Sequence, residues 1–149
     1  MLRASNFQDF LKSPIGKSKN FTWAEALYLS KWQIHVMPTH NDVFSAIELT
    51  AERMQKIRDL FMAPIQITSW FRPLAYNEEI GGSKRSSHLF GMACDFNVQG
   101  HDADKIREIL RPNLEAYDMR MENLEGSNWV HIDINCTKNF PLEKRYFKP

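Results

Sequence analysis

The sequence lacks the features that mark several classes of protein. Its 149 residues include only two cysteines, Cys94 and Cys136, and no Cys-x-x-Cys pair, which excludes a cysteine-rich structural zinc site. The formal charge is +1 without a long basic or acidic block, so nothing indicates a nucleic-acid partner. No apolar run approaches the length of a bilayer span, and we expect no membrane segment. With 43% hydrophobic and 25% charged residues, the chain is predicted to form one domain, 1–149.

The N-terminal residues show no secretion signal. Residues 1–16 lack a charged start followed by an apolar core and a cleavage site. We therefore expect synthesis in the cytoplasm and reduced thiols at both cysteines. Pro14 and Gly16 interrupt regular structure, so residues 1–19 are predicted to be an irregular or lightly helical lead-in.

Three segments have the apolar spacing and terminal residues that are typical of helices. In the first, Thr22 and Glu25 form a capping box, in which each side chain can bond the other residue's free backbone donor. In the third, Asp102 can cap the helix and Pro112 ends it. The predicted helices run from Thr22 to about Ser30, from either Asp42 or Thr50 to Met62, and from Asp102 to Pro112.

Two segments with period-two alternation are predicted to be neighbouring strands. If 92–98 and 129–136 pair, Asp95 and His131 project from one polar face, while Cys94 and Cys136 lie on the buried face. Two further strands are expected at 65–70 and 117–124, the latter joined to the last strand by a turn at 125–128. The predicted fold is α+β: a small antiparallel sheet with helices packed on one face.

His88, Asp95 and His131 are the candidate metal ligands. Two imidazoles and one carboxylate form a three-ligand set of the kind that a catalytic zinc uses, with a fourth position left for water. Such a zinc lowers the pKa of its bound water and polarises a carbonyl. His88 and Asp95 alone are also consistent with a surface histidine and a turn carboxylate. Their occurrence together with His131 favours one bound Zn²⁺.

The sequence around these residues resembles the zinc D-Ala-D-Ala peptidase family. That family includes carboxypeptidases, phage L-Ala-D-Glu endolysins, murein endopeptidases and the hedgehog signalling domain. The resemblance covers roughly residues 20 to 135 and implies a hedgehog-like fold and hydrolysis of peptidoglycan peptides. The motifs that carry it are Ser86-x-His88-x-x-Gly91-x-Ala93-x-Asp95, Trp129-x-His131, Phe21-Thr22-x-x-Glu25, and Ser69-Trp70-Phe71-Arg72-Pro73-x-Ala75-Tyr76-Asn77.

Residues beside the ligands are candidates for contacts with the substrate. Arg72 can stabilise a developing oxyanion or hold a substrate carboxylate, although a salt bridge after its strand is an equal alternative. The Ser86 hydroxyl can hold a ligand or the substrate, or belong to an ordinary loop. Gly91 and Ala93 are small, which would let backbone and substrate approach the metal closely.

The general base is the point at which the chain departs from the carboxypeptidases. They carry a glutamate or aspartate three residues before the last histidine, and this chain has Asn128 there. Glu125, at the position of the hedgehog glutamate, is the first candidate for the base, and Glu122 is the alternative. Asp133 is a candidate for orienting His131.

The sequence therefore predicts a zinc-dependent peptidase that cuts peptidoglycan, with endopeptidase preferred over carboxypeptidase activity. We expect a monomer of phage or prophage origin that reaches the wall through a holin or as part of a virion. The alternative is a non-catalytic module of the same fold, either zinc-containing and used for binding or a structural part of a virion.

Overall fold

The computed structural model describes residues 4–136 and 139–149. Helices surround one side of a sheet, and two short 3₁₀ turns, Ser87–Phe90 and Arg111–Asn113, join neighbouring elements. The helices are α1 (Ala4–Lys12), α2 (Trp23–Leu27), α3 (Asn41–Phe61), α4 (Leu74–Glu79), α5 (Ala103–Leu110) and α6 (Leu142–Arg145). None of these described helices combines the length and apolar character needed to cross a bilayer.

The strands form a two-stranded ribbon and a larger sheet. The ribbon pairs β1 (Tyr28–Leu29) with β2 (Ile34–His35) in antiparallel fashion. The larger sheet has the order β3-β4-β6-β5-β7 and is antiparallel except for the parallel pairing of β5 with β7. Its strands are β3 (Ile65–Ser69), β4 (Ala93–Val98), β5 (Arg120–Glu122), β6 (Val130–Asp133) and β7 (Tyr146–Phe147).

The two faces of the larger sheet have opposite chemistry, as the alternation predicted. One face enters the core beneath α3 and α5 through Cys94, Phe96, Val98, Met121, Val130 and Ile132. The other face carries Asp95, Asn97, Arg120, Glu122, His131 and Asp133, and all six line a cleft. The predicted α+β class, with helices on one face of a small, mainly antiparallel sheet, is confirmed.

The N-terminal segment differs from the expected lead-in. Residues 4–12 form helix α1, whose Leu11 is buried and whose Phe10 stacks on Trp23 with ring centroids 5.1 Å apart. Ile15 is fully buried just after it. This segment therefore packs on the core through Phe7, Phe10, Leu11 and Ile15, because apolar side chains repeat on one side of the short helix. Residues 1–3 lie outside the described range.

Several boundaries also move. Helix α2 ends at Leu27, earlier than the expected Ser30, because Tyr28 is extended and begins β1. Helix α3 has the longer of the two predicted forms, from Asn41, and ends where Met62 adopts a left-handed conformation with φ 49°. Strand β5 covers only 120–122 of the expected 117–124, since Asp118 has a positive φ of 52°. Helix α1 corresponds to the expected lightly helical part of the lead-in, whereas helices α4 and α6 and strands β1, β2 and β7 were not predicted.

The two cysteines are free but differ in environment. Cys94 lies in the core beneath Asp95, as predicted. Cys136 follows the end of β6, is half-buried, and has its sulfur 3.3 Å from the Arg145 guanidinium. The prediction that both thiols lie on the buried sheet face is therefore wrong for Cys136, because the strand ends before it.

Candidate metal centre

Three different elements bring the candidate ligands together. His88 lies on the 3₁₀ turn Ser87–Phe90, Asp95 in the middle of β4, and His131 in β6. Asp95 and His131 are directly paired in the antiparallel register, so their side chains project side by side. The predicted juxtaposition of Asp95 and His131 on one face is confirmed.

The ligand atoms converge on one point. Nitrogen or oxygen donors of His88, Asp95 and His131 lie within 4.8 Å of one another. Asp95 Oδ1 lies 3.2 Å from His88 Nε2 and 2.7 Å from His131 Nδ1. The three side chains are buried, with 2%, 8% and 8% of their residue surface exposed. This geometry can hold a metal ion, and the ligand role of each residue remains a prediction.

The backbone fixes the tautomer of His88. Its Nδ1 lies 2.6 Å from the Trp70 carbonyl oxygen, which can only accept a hydrogen bond. The ring therefore carries its proton on Nδ1 and turns the lone pair of Nε2 toward Asp95. Burial lowers the pKa of His88 despite the nearby Asp95 charge, which favours the neutral ring that a metal requires.

Arg72 holds the second oxygen of the Asp95 carboxylate. Its Nη2 donates to Asp95 Oδ2 at 3.0 Å, and its Nε donates to Ser69 Oγ at 2.9 Å. Burial raises the pKa of Asp95, but its interactions with His88 and His131 outweigh this effect and hold that pKa well below its ordinary value. Of the alternatives predicted for Arg72, the structure shows the salt bridge, made to Asp95 on the neighbouring strand.

His131 lies among three carboxylates. Its Nε2 is 3.8 Å from Asp133 Oδ2 and 3.9 Å from Glu122 Oε1, while Nδ1 bonds Asp95. Burial opposes a charged ring, but Asp133, Asp95 and Glu122 together raise the pKa of His131 to about 9. Arg120 donates two bonds of 2.8 Å to Asp133, which holds that carboxylate behind the histidine. The position of Asp133 fits the predicted orienting role.

The donor set fits zinc. His88 presents the lone pair of Nε2, His131 presents Nδ1, and the ionised carboxylate of Asp95 lies between them. Each ligand is also held from behind by a hydrogen bond or a charge, namely by Trp70, Arg72 and Asp133. Such outer contacts orient the ligands of metal sites and tune their basicity.

The two candidates for the general base lie in different places. Glu122 is on β5, lines the same cleft as the three ligands, and has its pKa raised chiefly by burial. Glu125 is exposed and lines a separate depression with Asp104, Arg107 and Tyr146. Glu122 is the glutamate that the fold places in the cleft of the candidate ligands, whereas Glu125 lies outside that cleft. The role of either residue as general base stays a prediction.

Contacts with α5 position the turn that carries Glu125. Gly126 has a φ of 83°, and its N–H bonds Asp104 Oδ1 of α5 at 3.1 Å. Arg107 of α5 donates to the carbonyls of Ser127 and Trp129 at 3.0 and 2.7 Å. These bonds hold the turn against α5, so that Glu125 at its start lines the separate depression while Asn128 at its end lines the cleft.

Two smaller predictions are resolved by local geometry. Ser86 Oγ accepts the His88 N–H at 3.2 Å, so it caps the turn that presents the first ligand, and Ser86 also lines the cleft. Gly91 has a φ of 71°, and a Cβ there would lie 2.6 Å from Ile47 Cγ1. The absent side chain makes room for α3, not for the substrate as expected, while Ala93 is fully buried in β4.

An open cleft of about 910 Å³ lies over the ligands. Trp129, 38% exposed, forms part of its wall, whereas Trp70 and Phe71 are buried. Arg120 and Arg85 also line it, and neither was singled out from the sequence. Arg120 could have been found from the sequence, because it lies two residues before Glu122 and therefore projects from the same face of the strand.

An α+β fold with two imidazoles and a carboxylate in an open cleft has the features of the single-zinc hydrolases. A family model described as Peptidase M15 matches residues 19–133, a range that contains all three candidate ligands. The chain therefore belongs to the Peptidase M15 family, the zinc D-Ala-D-Ala peptidases that its motifs resemble. A search of curated proteins finds no significant match.

Proposed function

We propose that the protein is a zinc-dependent endopeptidase that hydrolyses peptide bonds of peptidoglycan. The observation that carries the proposal is the convergence of His88, Asp95 and His131 in an open cleft that also contains Glu122. Membership of the Peptidase M15 family supports peptidase activity and zinc dependence. The cleft is open, as an enzyme that cuts within a cross-linked polymer requires.

In this proposal, the candidate ligands and Glu122 serve different steps of the hydrolysis. Zinc held by His88, Asp95 and His131 would act as a Lewis acid on the scissile carbonyl and acidify a water molecule. Glu122 accepts the proton of the attacking water and returns it to the leaving amine, as a general base and then a general acid. Its raised pKa suits both steps, because a carboxylate closer to neutral pH takes up a proton more readily.

Two arginines keep the centre in position. Arg72 neutralises one oxygen of Asp95, so the other oxygen faces the histidines. Arg120 holds Asp133 close to the far nitrogen of His131. Both guanidiniums line the cleft, but their ion pairs within the protein make them positioning residues in this mechanism.

Digestion of purified peptidoglycan tests this function. The zinc-loaded protein should release fragments, and mass spectrometry of those fragments identifies the bond that is cut. Chelator and His88→Ala should each abolish release, whereas the exposed His40→Ala, a matched control outside the cleft, should leave it unchanged. Products cut within the peptide would support the endopeptidase, and release of terminal alanine alone would indicate a carboxypeptidase.

A second candidate function is a non-catalytic zinc-containing module for binding or for virion structure. Asn128, at the position of the carboxypeptidase base, favours it and lines the cleft. Stoichiometric zinc without cleavage of any muropeptide would select this candidate.

For the enzyme, resemblance to phage endolysins supports a phage or prophage context, with access to the wall through a holin or a tail.

A further inference from the structure

Two of the three arginines that line the cleft are held in ion pairs. Arg72 is bound to Asp95 at 3.0 Å, and Arg120 is bound to Asp133 at 2.8 Å. The first pair connects the segment after β3 to β4, and the second connects β5 to β6. Each arginine already commits two of its three guanidinium nitrogens, Nε and Nη2, to contacts within the protein.

Arg85 is the exception among the arginines of the cleft. It is exposed, lines the same cleft, and has no acidic partner within the part of the chain that the structure describes. Its place on the loop before His88 puts this unpaired positive charge three residues from a candidate metal ligand. A guanidinium offers a planar fork of donors that matches a carboxylate.

The loop that carries Arg85 is firmly built. The side chain of the fully buried Asn77 donates from Nδ2 to the Ser83 carbonyl at 3.0 Å, and the backbone carbonyl of Asn77 accepts the Gly82 N–H at 2.8 Å. Arg85 N–H in turn bonds Ser83 Oγ at 3.2 Å. A Cβ on Gly82 would lie 2.1 Å from Asn77 Oδ1, so this loop and buried Asn77 require a glycine there. The backbone of Arg85 is thus held in place beside the cleft.

We propose that Arg85 is a specificity-determining residue that binds a free carboxylate of the peptide substrate. The proposal rests on the function proposed above and names the substrate more closely as an anionic peptide. Two carboxylates of a peptidoglycan stem peptide have the required chemistry: the one at its C-terminus and the one on its D-glutamate. Binding at Arg85 places the scissile bond relative to His88 through the short segment that joins them.

Steady-state cleavage of matched peptides tests the proposal. The probes are the stem pentapeptide L-Ala-D-Glu-L-Lys-D-Ala-D-Ala, its C-terminal amide, and the analogue whose free D-glutamate carboxylate is a carboxamide. For the zinc-loaded wild type, one of the two amidations should raise KM roughly 10-fold, as expected for loss of a charged hydrogen bond. The peptide that shows this loss identifies which carboxylate is bound.

Variants connect that loss to Arg85. Arg85→Gln should raise KM for the parent peptide roughly 10-fold with little change in kcat, and should have no effect on the amidated peptide that wild type disfavours. Arg85→Lys should recover part of the affinity. Lys84→Gln removes the adjacent exposed charge, which does not line the cleft, and should match wild type.

The outcomes separate this proposal from the proposed function. Equal effects of Arg85→Gln on all three peptides, or no effect on any, would overturn the role of Arg85 even if cleavage is normal. A parallel binding measurement uses fluorescent versions of the same peptides and the zinc-loaded Glu122→Gln protein with and without Arg85→Gln. If wild type cuts none of the peptides but this binding depends on Arg85 and on one carboxylate, the role of Arg85 stands while the enzymatic function fails.

Discussion

At the scale of single residues, Asp95 connects the whole centre. One oxygen faces both histidines and the other is held by Arg72, so a single carboxylate orders three cationic or potentially cationic groups. A buried carboxylate is costly unless its partners are in place. The same contacts that stabilise it also aim it at the position of the metal.

The proposed role of Glu122 as general base leads to the first prediction. Glu122→Gln should lower kcat about 100-fold or more, because an amide cannot accept the proton of water. Zinc content should stay at one ion per chain, since Glu122 is not among the candidate ligands. Glu125→Gln, three residues along on the exposed turn, should behave as wild type. Steady-state kinetics with metal analysis checks all three statements, and loss of activity in Glu125→Gln alone would reverse the assignment.

His131 leads to a prediction about protons. In the metal-free centre its pKa is raised to about 9, so below that pH the ring is protonated and must lose a proton when its nitrogen binds zinc. His88 has a lowered pKa and contributes no such release. His131 should contribute about one proton per zinc near pH 7 and about half a proton near pH 9, separate from the proton that zinc-bound water gives up.

Calorimetry measures this release. Zinc is titrated into the metal-free protein in two weakly metal-binding buffers of different ionisation enthalpy, and the difference in heat gives the number of protons. Binding heats that do not depend on the buffer near pH 7 would show that His131 is neutral before the metal binds.

At the scale of elements, strand alternation explains why the sequence predicted the central strands and the side chains that they bring together. The period-two pattern in 92–98 and 129–136 was enough to place Asp95 beside His131, because pairing and parity are local properties of strands. The side on which Glu125 lies was not predictable. It depends on the positive φ of Gly126 and on Arg107 of α5, which is distant in sequence.

Other elements were missed or only partly predicted for similar physical reasons. Strand β7 has two residues and pairs in parallel with β5, so its existence depends on contacts with distant residues and not on its own pattern. Helix α1 is short, and its stability comes from packing against Trp23 and the core more than from helix propensity. Arg85 belongs to no sequence pattern, because only the structure shows that it lines the cleft without an acidic partner among the described residues.

The connection between the 3₁₀ turn and β4 leads to a prediction at this scale. Gly91→Ala would force a left-handed residue to carry a Cβ that lies 2.6 Å from Ile47 Cγ1 and 3.1 Å from the Val43 carbonyl oxygen. Conformational strain and overpacking together should lower the free energy of unfolding by about 2–5 kcal/mol. Gly100→Ala is the matched control, because its φ of 82° is similar but no atom lies within 4 Å of the added Cβ.

Urea denaturation measures both variants. Gly100→Ala should lose only about 1–2 kcal/mol, the strain without the clash. Equal losses in the two variants would mean that α3 moves freely and that the close packing of Gly91 does not matter. Zinc affinity of Gly91→Ala should also fall, because the displaced turn carries His88.

At the scale of the whole molecule, the metal centre and the core share one strand. Cys94 faces the core and is fully buried, while Asp95, the next residue of β4, faces the cleft. Burial raises the pKa of Cys94 well above its ordinary value, so the thiol is both covered and protonated in the native fold. Its modification therefore requires the sheet to separate from the helices.

Cys136 provides an internal comparison. It is half-buried beyond the end of β6, and burial raises its pKa while Arg145 opposes the rise. Iodoacetamide should therefore modify Cys136 through local motion, long before Cys94. Peptide mass spectrometry at successive times distinguishes the two sites, and early modification of Cys94 would contradict the packing of the core.

Zinc should change only the slower of these two reactions. A ligand that binds the native state alone at 100 times its dissociation constant adds about 2.7 kcal/mol to the free energy of unfolding, which makes the open state about 100-fold rarer. Modification of Cys94 should slow by about that factor, whereas modification of Cys136 should change little. With His88→Ala, the same zinc concentration should leave both rates unaltered, since one of the three ligands is missing. If zinc slows Cys136 as strongly as Cys94, its binding is coupled to the C-terminal segment that packs on β5 and not only to β4 and β6.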